Sequence, residues 1–389
     1  MKKSLLALAA MGAFAGAAQA QSSVTVYGVY DGGYAYTNKV ETSAAGVATN
    51  NAISGFAGGQ QASSRLGFRG TEDLGGGLAA VFNLEFGVAP GTGDTTVTGG
   101  VLTPAGQQTT GVRTSVVGLT SKEFGSVTVG RQLTAMHTII AGAVNTANNM
   151  AGDLTYSDVT PSSAQGATAL RIHSLATRMS DSVAVRSISF SGLRVNLDYS
   201  GDNATGAVNP ASPTNAASTG VQIGNMGAML DYTYGPFRAM VGTHAVKSNV
   251  NLNAATAGTV TKTNINAVGL VYSAKGLVAN ATLANNKTLN DSTGARISAV
   301  NAWKLGVSYE VTPTIKPFIQ YGSGASKLTE AAPQNSDNDG YQVGATYALS
   351  KRSSLYAAYG NQTSKITQGA NINQKADIKE YGLGIVHTF

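Results

Sequence analysis

The sequence predicts an all-β fold, a transmembrane antiparallel β-barrel of sixteen strands, and three observations support this prediction. Apolar and polar residues alternate with a period of two along most of the chain. The connections between the alternating segments are long and short in turn. Beyond the first twenty residues no segment approaches the roughly 18 consecutive apolar residues of a transmembrane helix. Because lipid offers the backbone no hydrogen-bond partner, a chain without such helices can cross a bilayer only as a closed sheet.

The alternation is clear in residues 193–199. There one parity holds Leu193, Val195, Leu197 and Tyr199, and the other holds Arg194, Asn196 and Asp198. Such a segment has one apolar and one polar face when it forms a strand. A soluble β-sandwich, with the apolar face as its core, would show the same alternation, so this pattern alone leaves both architectures open.

The lengths of the connections favour the barrel. Long connections are predicted at 38–61, 89–111, 133–177, 201–220, 249–261, 287–297, 326–337 and 365–377, with tight turns between them. Long loops on one rim and short turns on the other are typical of outer-membrane barrels, whereas a sandwich gives no reason for them. We therefore expect short periplasmic turns and long extracellular loops.

Composition excludes several other classes of protein. Only 12% of the residues are charged, against about 25% in a soluble domain. The net charge of +6 comes from scattered basic residues, which argues against a nucleic-acid partner. The chain has 0 cysteines, so it holds neither a disulfide framework nor a thiolate metal site.

The N-terminal residues have the pattern of a secretory signal peptide. Lys2 and Lys3 precede a short apolar stretch, and the small residues Ala18 and Ala20 precede a polar segment. We expect cleavage after Ala20, so that 1–20 is the signal peptide and 21–389 a single barrel domain exported through the periplasm. A retained membrane anchor is the alternative.

Four segments resemble the betaproteobacterial general porins of Gram-negative bacteria. They are residues 23–28 (SVTVYG), 64–75 (SRLGFRGTEDLG), 124–132 (FGSVTVGRQ) and 381–389 (YGLGIVHTF). The resemblance implies a homotrimer of sixteen-stranded barrels in the outer membrane, surrounded by lipid and lipopolysaccharide. It also implies that the third long loop folds into the pore. The last strand, with Tyr381 and the terminal Phe389, resembles the signal that the outer-membrane assembly machinery recognises.

The expected function is a water-filled channel for the passive diffusion of small hydrophilic solutes and ions. Parity puts Arg65 and Arg69 on the pore wall, and the resemblance adds Arg131 to the basic side of a constriction. The resemblance also puts an acidic side on the inward loop, formed by Asp153 or Asp158 with Tyr156 nearby. Alternatively, the arginines are wall residues paired with carboxylates, and the loop residues hold the loop to the wall. Because predicted pore-facing cations outnumber the acids, we expect moderate anion preference.

Three other functions are also compatible with the sequence. A substrate-specific channel would need a binding track along the pore, and a structural or adhesive barrel would bind through its surface loops. An outer-membrane enzyme is the least supported, because the four histidines are far apart and no nucleophile or metal motif is present. No cofactor is expected.

Overall fold

The computed structural model describes residues 23–88, 90, 111–141, 150–153, 177–201, 221–249, 260–328, 334–368 and 371–389. These residues form seventeen strands and one short helix. No helix among them is both long and apolar enough to cross a membrane. The strands are β1 (Ser23–Thr42), β2 (Ala48–Gly58), β3 (Arg65–Gly75), β4 (Leu78–Gly87), β5 (Gly111–Ser121), β6 (Gly125–Leu133), β7 (Arg178–Arg186), β8 (Leu193–Ser200), β9 (Val221–Tyr234), β10 (Phe237–Asn249), β11 (Val260–Ala274), β12 (Leu277–Asn290), β13 (Arg296–Tyr309), β14 (Ile315–Leu328), β15 (Gln334–Ala348), β16 (Ser353–Gln368) and β17 (Asn371–Thr388). The helix is α1 (Ala135–Ala141).

The sheet is antiparallel and closed. From β3 onwards each strand pairs with the next one in sequence, and β17 returns to pair with β1, for example Tyr381 with Tyr36. One half of β1 pairs with β2 and the other half with β3. Because β2 and β3 together occupy one position, the closed barrel has sixteen strands, and the predicted fold class is confirmed.

Asp31 accounts for the break between β2 and β3. Its Oδ2 accepts hydrogen bonds from the backbone N–H groups of Gln61 at 2.7 Å and Ala62 at 2.8 Å. The backbone N–H of Asp31 donates to Ser64 Oγ at 2.8 Å. These bonds satisfy backbone groups that have left the sheet, so residues 59–64 can fold towards the barrel wall.

Several predicted long connections are shorter than expected. The range 38–61 holds the end of β1, a turn at 43–47 and β2. The range 365–377 is almost entirely strand, since β16 continues to Gln368 and β17 begins at Asn371. Antiparallel pairing uses backbone groups alone, so polar segments beyond the lipid extend the hairpins although their apolar alternation has stopped.

The two faces of the sheet are apolar outside and polar inside. On β13 the outward side chains Trp303 and Leu305 are 36% and 52% exposed, whereas the inward Lys304 and Ser308 are 1% exposed. A soluble sandwich would bury its apolar face, so this arrangement excludes that alternative and is typical of a barrel in lipid. Outward aromatic rings also contact one another across strands, among them Tyr359 and Tyr381 with centroids 4.7 Å apart.

Candidate functional site

Part of the long connection between β6 and β7 lies inside the barrel. Helix α1 packs against the inward faces of β8–β12. Its Met136, Ile139 and Ile140 are fully buried in one apolar cluster with inward residues that include Met240 and Ile265. The hydrophobic effect therefore holds the helix to the wall, and it explains why apolar residues interrupt the polar inward face there.

The N-terminus of α1 is fixed by hydrogen bonds. Asp198 on β8 accepts a hydrogen bond from the backbone N–H of Ala135 at 2.6 Å. Thr134 Oγ1 accepts one from the N–H of His137 at 3.2 Å, as a helix N-cap does. Asp198 is also paired with Arg186 of β7. The carboxylate thus joins the helix to two neighbouring strands of the wall.

A second segment of the same loop, residues 150–153, is attached to the adjoining part of the wall, β13–β17. Lys304 Nζ lies 3.2 Å from Asp153 Oδ2 and donates to the carbonyl oxygen of Ile140 at 3.2 Å. Gln342 Nε2 donates to the carbonyl oxygen of Met150 at 3.0 Å. The described parts of the third long loop therefore lie inside the barrel, as predicted.

Glu380 and Gly360 complete this attachment. Glu380 Oε2 accepts the backbone N–H of Ala151 at 2.8 Å. A Cβ atom built on Gly360 would lie 1.9 Å from the carbonyl oxygen of Ala151, far below any real contact distance. The loop backbone can approach β16 this closely because residue 360 has no side chain.

The basic wall lies on β3–β5. Arg65 and Arg69 face inward as predicted, and Arg65 Nε is 3.5 Å from Glu85 Oε2. The guanidinium carbon of Arg69 lies 5.1 Å from the centroid of the Tyr27 ring, which is cation–π geometry. The Tyr27 hydroxyl donates to Asn83 Oδ1 at 2.8 Å. This network fixes the two arginines without burying their charge.

Arg113 is a wall residue that alternation along the sequence does not indicate. Its Nε donates to Glu85 Oε1 at 2.8 Å, so Glu85 faces both Arg65 and Arg113. By parity Arg113 belongs with the outward residues Val117 and Leu119 of β5. A register shift next to Glu85 in the β4–β5 ladder turns Arg113 inward. Such a bulge redirects a side chain, and alternation carries no signal for it.

The structure corrects the placement of Arg131. Arg131 pairs with Ser115 and shares its parity with Val127 and Val129, which are exposed on the outer face. Its Nε donates to the carbonyl oxygen of Val112 at 2.8 Å, and its Nη1 donates to Ser180 Oγ at 2.7 Å. The β6–β7 ladder also shifts register at Arg131, so parity alone does not place this side chain. Its hydrogen bond to Ser180, which is exposed and follows the fully buried Met179, holds Arg131 on the outer face and away from Arg65 and Arg69.

The predicted acidic residues of the loop are only partly described. Asp153 is 0% exposed and paired with Lys304, so it holds the loop to the wall, which was the alternative interpretation. Its charge is neutralised and does not face water. Tyr156 and Asp158 lie outside the described residues.

Apart from Lys304, which is buried with Asp153, the inward cations of the strands are more exposed than the inward carboxylates. Side chains of Glu85, Asp198 and Asp231 are 12%, 0% and 7% exposed, and Asp31 and Glu380 are 0% exposed as residues. Arg69 and Arg194 are exposed. Arg238 makes a two-pronged contact with Asp231 at 2.8 and 2.7 Å and still leaves 35% of its side chain exposed. Water in the pore thus meets positive charge more than negative charge.

His137 in α1 is held neutral. Burial lowers its pKa from 6.5 to about 4, and the positive charges of Arg178, Arg113 and Lys304 act in the same direction. The imidazole therefore carries no charge near neutral pH. In the part of the chain that the structure describes, no group of three or more His, Cys, Asp or Glu residues could hold a metal ion.

The C-terminal residue closes the barrel at the rim of short turns. The backbone N–H of Phe389 donates to the carbonyl oxygen of Gly28 at 3.1 Å, and the N–H of Gly28 donates back at 3.0 Å. A Cβ on Gly28 would lie 2.3 Å from the Phe389 ring, so the ring covers this glycine. Tyr381, eight residues earlier, points outward into the aromatic contacts with Tyr36 and Tyr359.

Comparison with known proteins gives a consistent set of matches. A family model described as Gram-negative porin matches residues 7–367. An outer membrane porin protein of Bordetella pertussis is 43% identical over 139 residues, 34% of each chain. Outer membrane porin protein 32 of Delftia acidovorans is 53% identical over 87 residues, 22% of each chain. The matched segments thus span about a third or less of these curated relatives.

Solved structures share the fold. An anion-selective porin from Comamonas acidovorans superposes with a TM-score of 0.64 and 22% identity, covering 95% of this chain and 100% of that one. The trimer form of OmpT from Vibrio cholerae gives a TM-score of 0.58 at 16% identity, covering 95% and 99%. At these identities the likeness shows a common barrel architecture.

Proposed function

The chain belongs to the Gram-negative porin family, and from this premise we propose that it forms a water-filled channel through the bacterial outer membrane. The channel lets small hydrophilic solutes and ions diffuse passively, and it prefers anions. The observation that carries the proposal is a loop attached inside a closed barrel. Opposite this loop lies the basic wall, where Arg65 and Arg113 share Glu85. A barrel of sixteen strands is wide enough to leave an aqueous lumen.

The anion preference rests on the distribution of exposed charge. Arg65 and Arg113 share Glu85, and Arg69 contacts an aromatic ring and no carboxylate among the described residues. Fixed positive charge beside a narrow aqueous path raises the local concentration of anions. We therefore assign the basic side of the constriction to Arg65, Arg69 and Arg113. The description of the Comamonas porin as anion-selective supports the same direction.

Planar-bilayer recording tests both parts of this proposal. Single-channel conductance that rises linearly with salt concentration is the expected result for a diffusion channel, and absence of conductance would contradict the channel. In a KCl gradient the reversal potential should have the sign expected when chloride is more permeant than potassium. A reversal potential on the cation side would contradict the assigned preference.

Assembly and processing of the chain follow the pattern of an exported outer-membrane barrel in this proposal. We propose a homotrimer, supported by the fold shared with a trimeric porin, and recognition of the strand ending in Phe389 by the outer-membrane assembly machinery. We propose that 1–20 is a signal peptide. Electrophoresis of unheated samples tests the trimer, which should migrate as a species three times the mass of the single chain. N-terminal sequencing tests the signal peptide and should find Gln21 first. Deletion of Phe389 tests the assembly signal and should lower the amount of assembled protein.

A further inference from the structure

Two segments of the chain lie against the inner face of β16 and β17. One is residues 150–153 of the inward loop, and the other is residues 59–64, which connect β2 with β3. A glycine of β17 makes room for the second segment. A Cβ atom built on Gly382 would lie 2.6 Å from Gln60 Oε1, far too close for a real contact. Because residue 382 has no side chain, Gln60 can reach the wall, where it is 3% exposed.

The oxygen end of the Gln60 amide is fixed. The Tyr356 hydroxyl lies 3.1 Å from Gln60 Oε1 and 2.8 Å from Asp31 Oδ1. Tyr356 itself lies over Gly384, where a Cβ atom would be 2.5 Å from its hydroxyl oxygen. Asp31 also accepts the backbone N–H of Gln61 at 2.7 Å. Since both the amide oxygen and the backbone after it are held, the Nε2 end of the amide points in a fixed direction.

The nitrogen end of this amide faces the carboxylate that holds the inward loop. Glu380 Oε2 accepts the backbone N–H of Ala151 at 2.8 Å, and the Gln60 side chain lies beside the same carboxylate. Among the described residues, neither Gln60 Nε2 nor Glu380 Oε1 has a hydrogen-bond partner, although both atoms are buried. A buried donor and a buried acceptor without partners destabilise the folded state, and a small shift that joins them removes both penalties.

We propose that Gln60 is a positioning residue of the constriction and acts through Glu380. Its amide donates to Glu380 Oε1 and orients the carboxylate, whose other oxygen holds Ala151 against the wall. Residues 59–64 and 150–153 then form one unit, so the width of the channel depends on the connection between β2 and β3 as well as on the inward loop. This inference rests on the proposed function, because the position of the loop sets a width only in a channel.

Thr37 is the competing donor. It pairs with Glu380 in the β1–β17 ladder, and its Oγ1 is also buried without a partner in the part of the chain that the structure describes. We favour Gln60 because Tyr356 fixes the direction of its amide, whereas a hydroxyl hydrogen rotates to suit its surroundings.

Hydrogen exchange in the assembled full-length protein measures attachment of the loop, since the Ala151 N–H exchanges when the loop leaves Glu380. The variant Gln60→Met keeps the length of the side chain and removes the donor. We expect exchange in the peptide that covers 150–153 to become about tenfold faster, as for the loss of a hydrogen bond to a charged group, and single-channel current to become noisier. The control Gln61→Met retains the backbone N–H that bonds to Asp31 and should exchange as the unchanged protein does.

A second substitution shows whether Gln60 acts through Glu380. The variant Glu380→Ala removes the anchor itself, so adding Gln60→Met to it should accelerate exchange no further. The inference is overturned if Gln60→Met exchanges as the control does, or if it accelerates exchange equally with and without Glu380. Faster exchange in Thr37→Val, with no change in Gln60→Met, would assign the role to Thr37.

Exchange is measured without a pore, so the two proposals fail separately. Conductance by the unchanged protein, with unaltered exchange in Gln60→Met, refutes this inference alone. Faster exchange in Gln60→Met, with no conductance by the unchanged protein, refutes the channel and leaves Gln60 as part of the loop attachment.

Discussion

Lys304 on β13 and Asp153 in the inward loop form an ion pair in which Nζ and Oδ2 lie 3.2 Å apart and both side chains are almost completely buried. The pair joins residues 151 positions apart in sequence. Removing one partner of a buried pair leaves an uncompensated charge and costs about 3–5 kcal/mol. The pair therefore holds residues 150–153 against the wall together with the hydrogen bonds from Gln342 and to Glu380.

Replacing Asp153 alone should release this segment. We expect Asp153→Asn to give noisier single-channel currents and faster proteolysis of the loop in assembled protein. The double variant Lys304→Met/Asp153→Leu removes both charges and should restore most of the quiet current, because an apolar pair of similar volume can replace a buried ion pair. Equal noise in Asp153→Asn and the unchanged protein would show that other contacts hold the loop.

Gly360 should be sensitive to the smallest possible side chain. In Gly360→Ala the new methyl group would lie 1.9 Å from the carbonyl oxygen of Ala151, so the loop backbone must move away from β16. We expect altered conductance with an unchanged barrel, checked by circular dichroism. In the control Gly201→Ala the nearest atom to the new methyl, the Tyr199 hydroxyl oxygen, is 3.9 Å away. If both variants conduct alike, the close approach at Gly360 has no effect on the pore.

His137 makes attachment of α1 depend on pH. Its pKa is about 4 with the helix attached and 6.5 for a free imidazole, so the detached loop binds a proton more readily. The neutral imidazole therefore stabilises the attached helix fully above about pH 6.5, and this stabilisation decreases as the pH falls towards about 4. We expect current noise to rise over this range.

The variant His137→Gln should flatten that pH profile. His387→Gln, which changes a histidine on the outer face near the other end of the barrel, should leave it intact. An unchanged profile in His137→Gln would assign the pH dependence to other groups.

Arg113 and Arg131 form a matched pair for testing ion selectivity. Arg113→Gln removes an inward charge and leaves Glu85 with Arg65 alone, so the anion-to-cation permeability ratio should fall by roughly a factor of a few. Arg131→Gln removes one positive charge from the outer face and should leave the reversal potential unchanged. If Arg131→Gln lowered the anion-to-cation permeability ratio more than Arg113→Gln did, Arg131 and not Arg113 would belong to the constriction.

The barrel itself was predictable from local sequence. Residues such as Trp303, Lys304 and Leu305 alternate because successive side chains of a strand point to opposite faces, and this geometry is the same wherever the strand lies. The tight turns and the count of sixteen strands follow from the same pattern. The strand β2 within 38–61 and the strand ends within 365–377 were missed, because backbone pairing continues where side-chain alternation stops.

The functional site was only partly predictable. Parity was sufficient for Arg65 and Arg69, whose strand pairs without a break between them. A register shift in β5 turned Arg113 inward, and hydrogen bonds to Val112 and Ser180 hold Arg131 on the outer face. Asp153 was expected to face the pore and is instead paired with Lys304.

Sequence alone therefore determined the sheet, its two unlike faces and the closed barrel, since each depends on a backbone period of two and on the absence of hydrogen-bond partners in lipid. Tertiary structure decided which charges face the pore. Those positions depend on bulges in paired strands and on contacts such as Lys304 with Asp153, which form only when distant segments are brought together. A local sequence pattern does not predict such contacts.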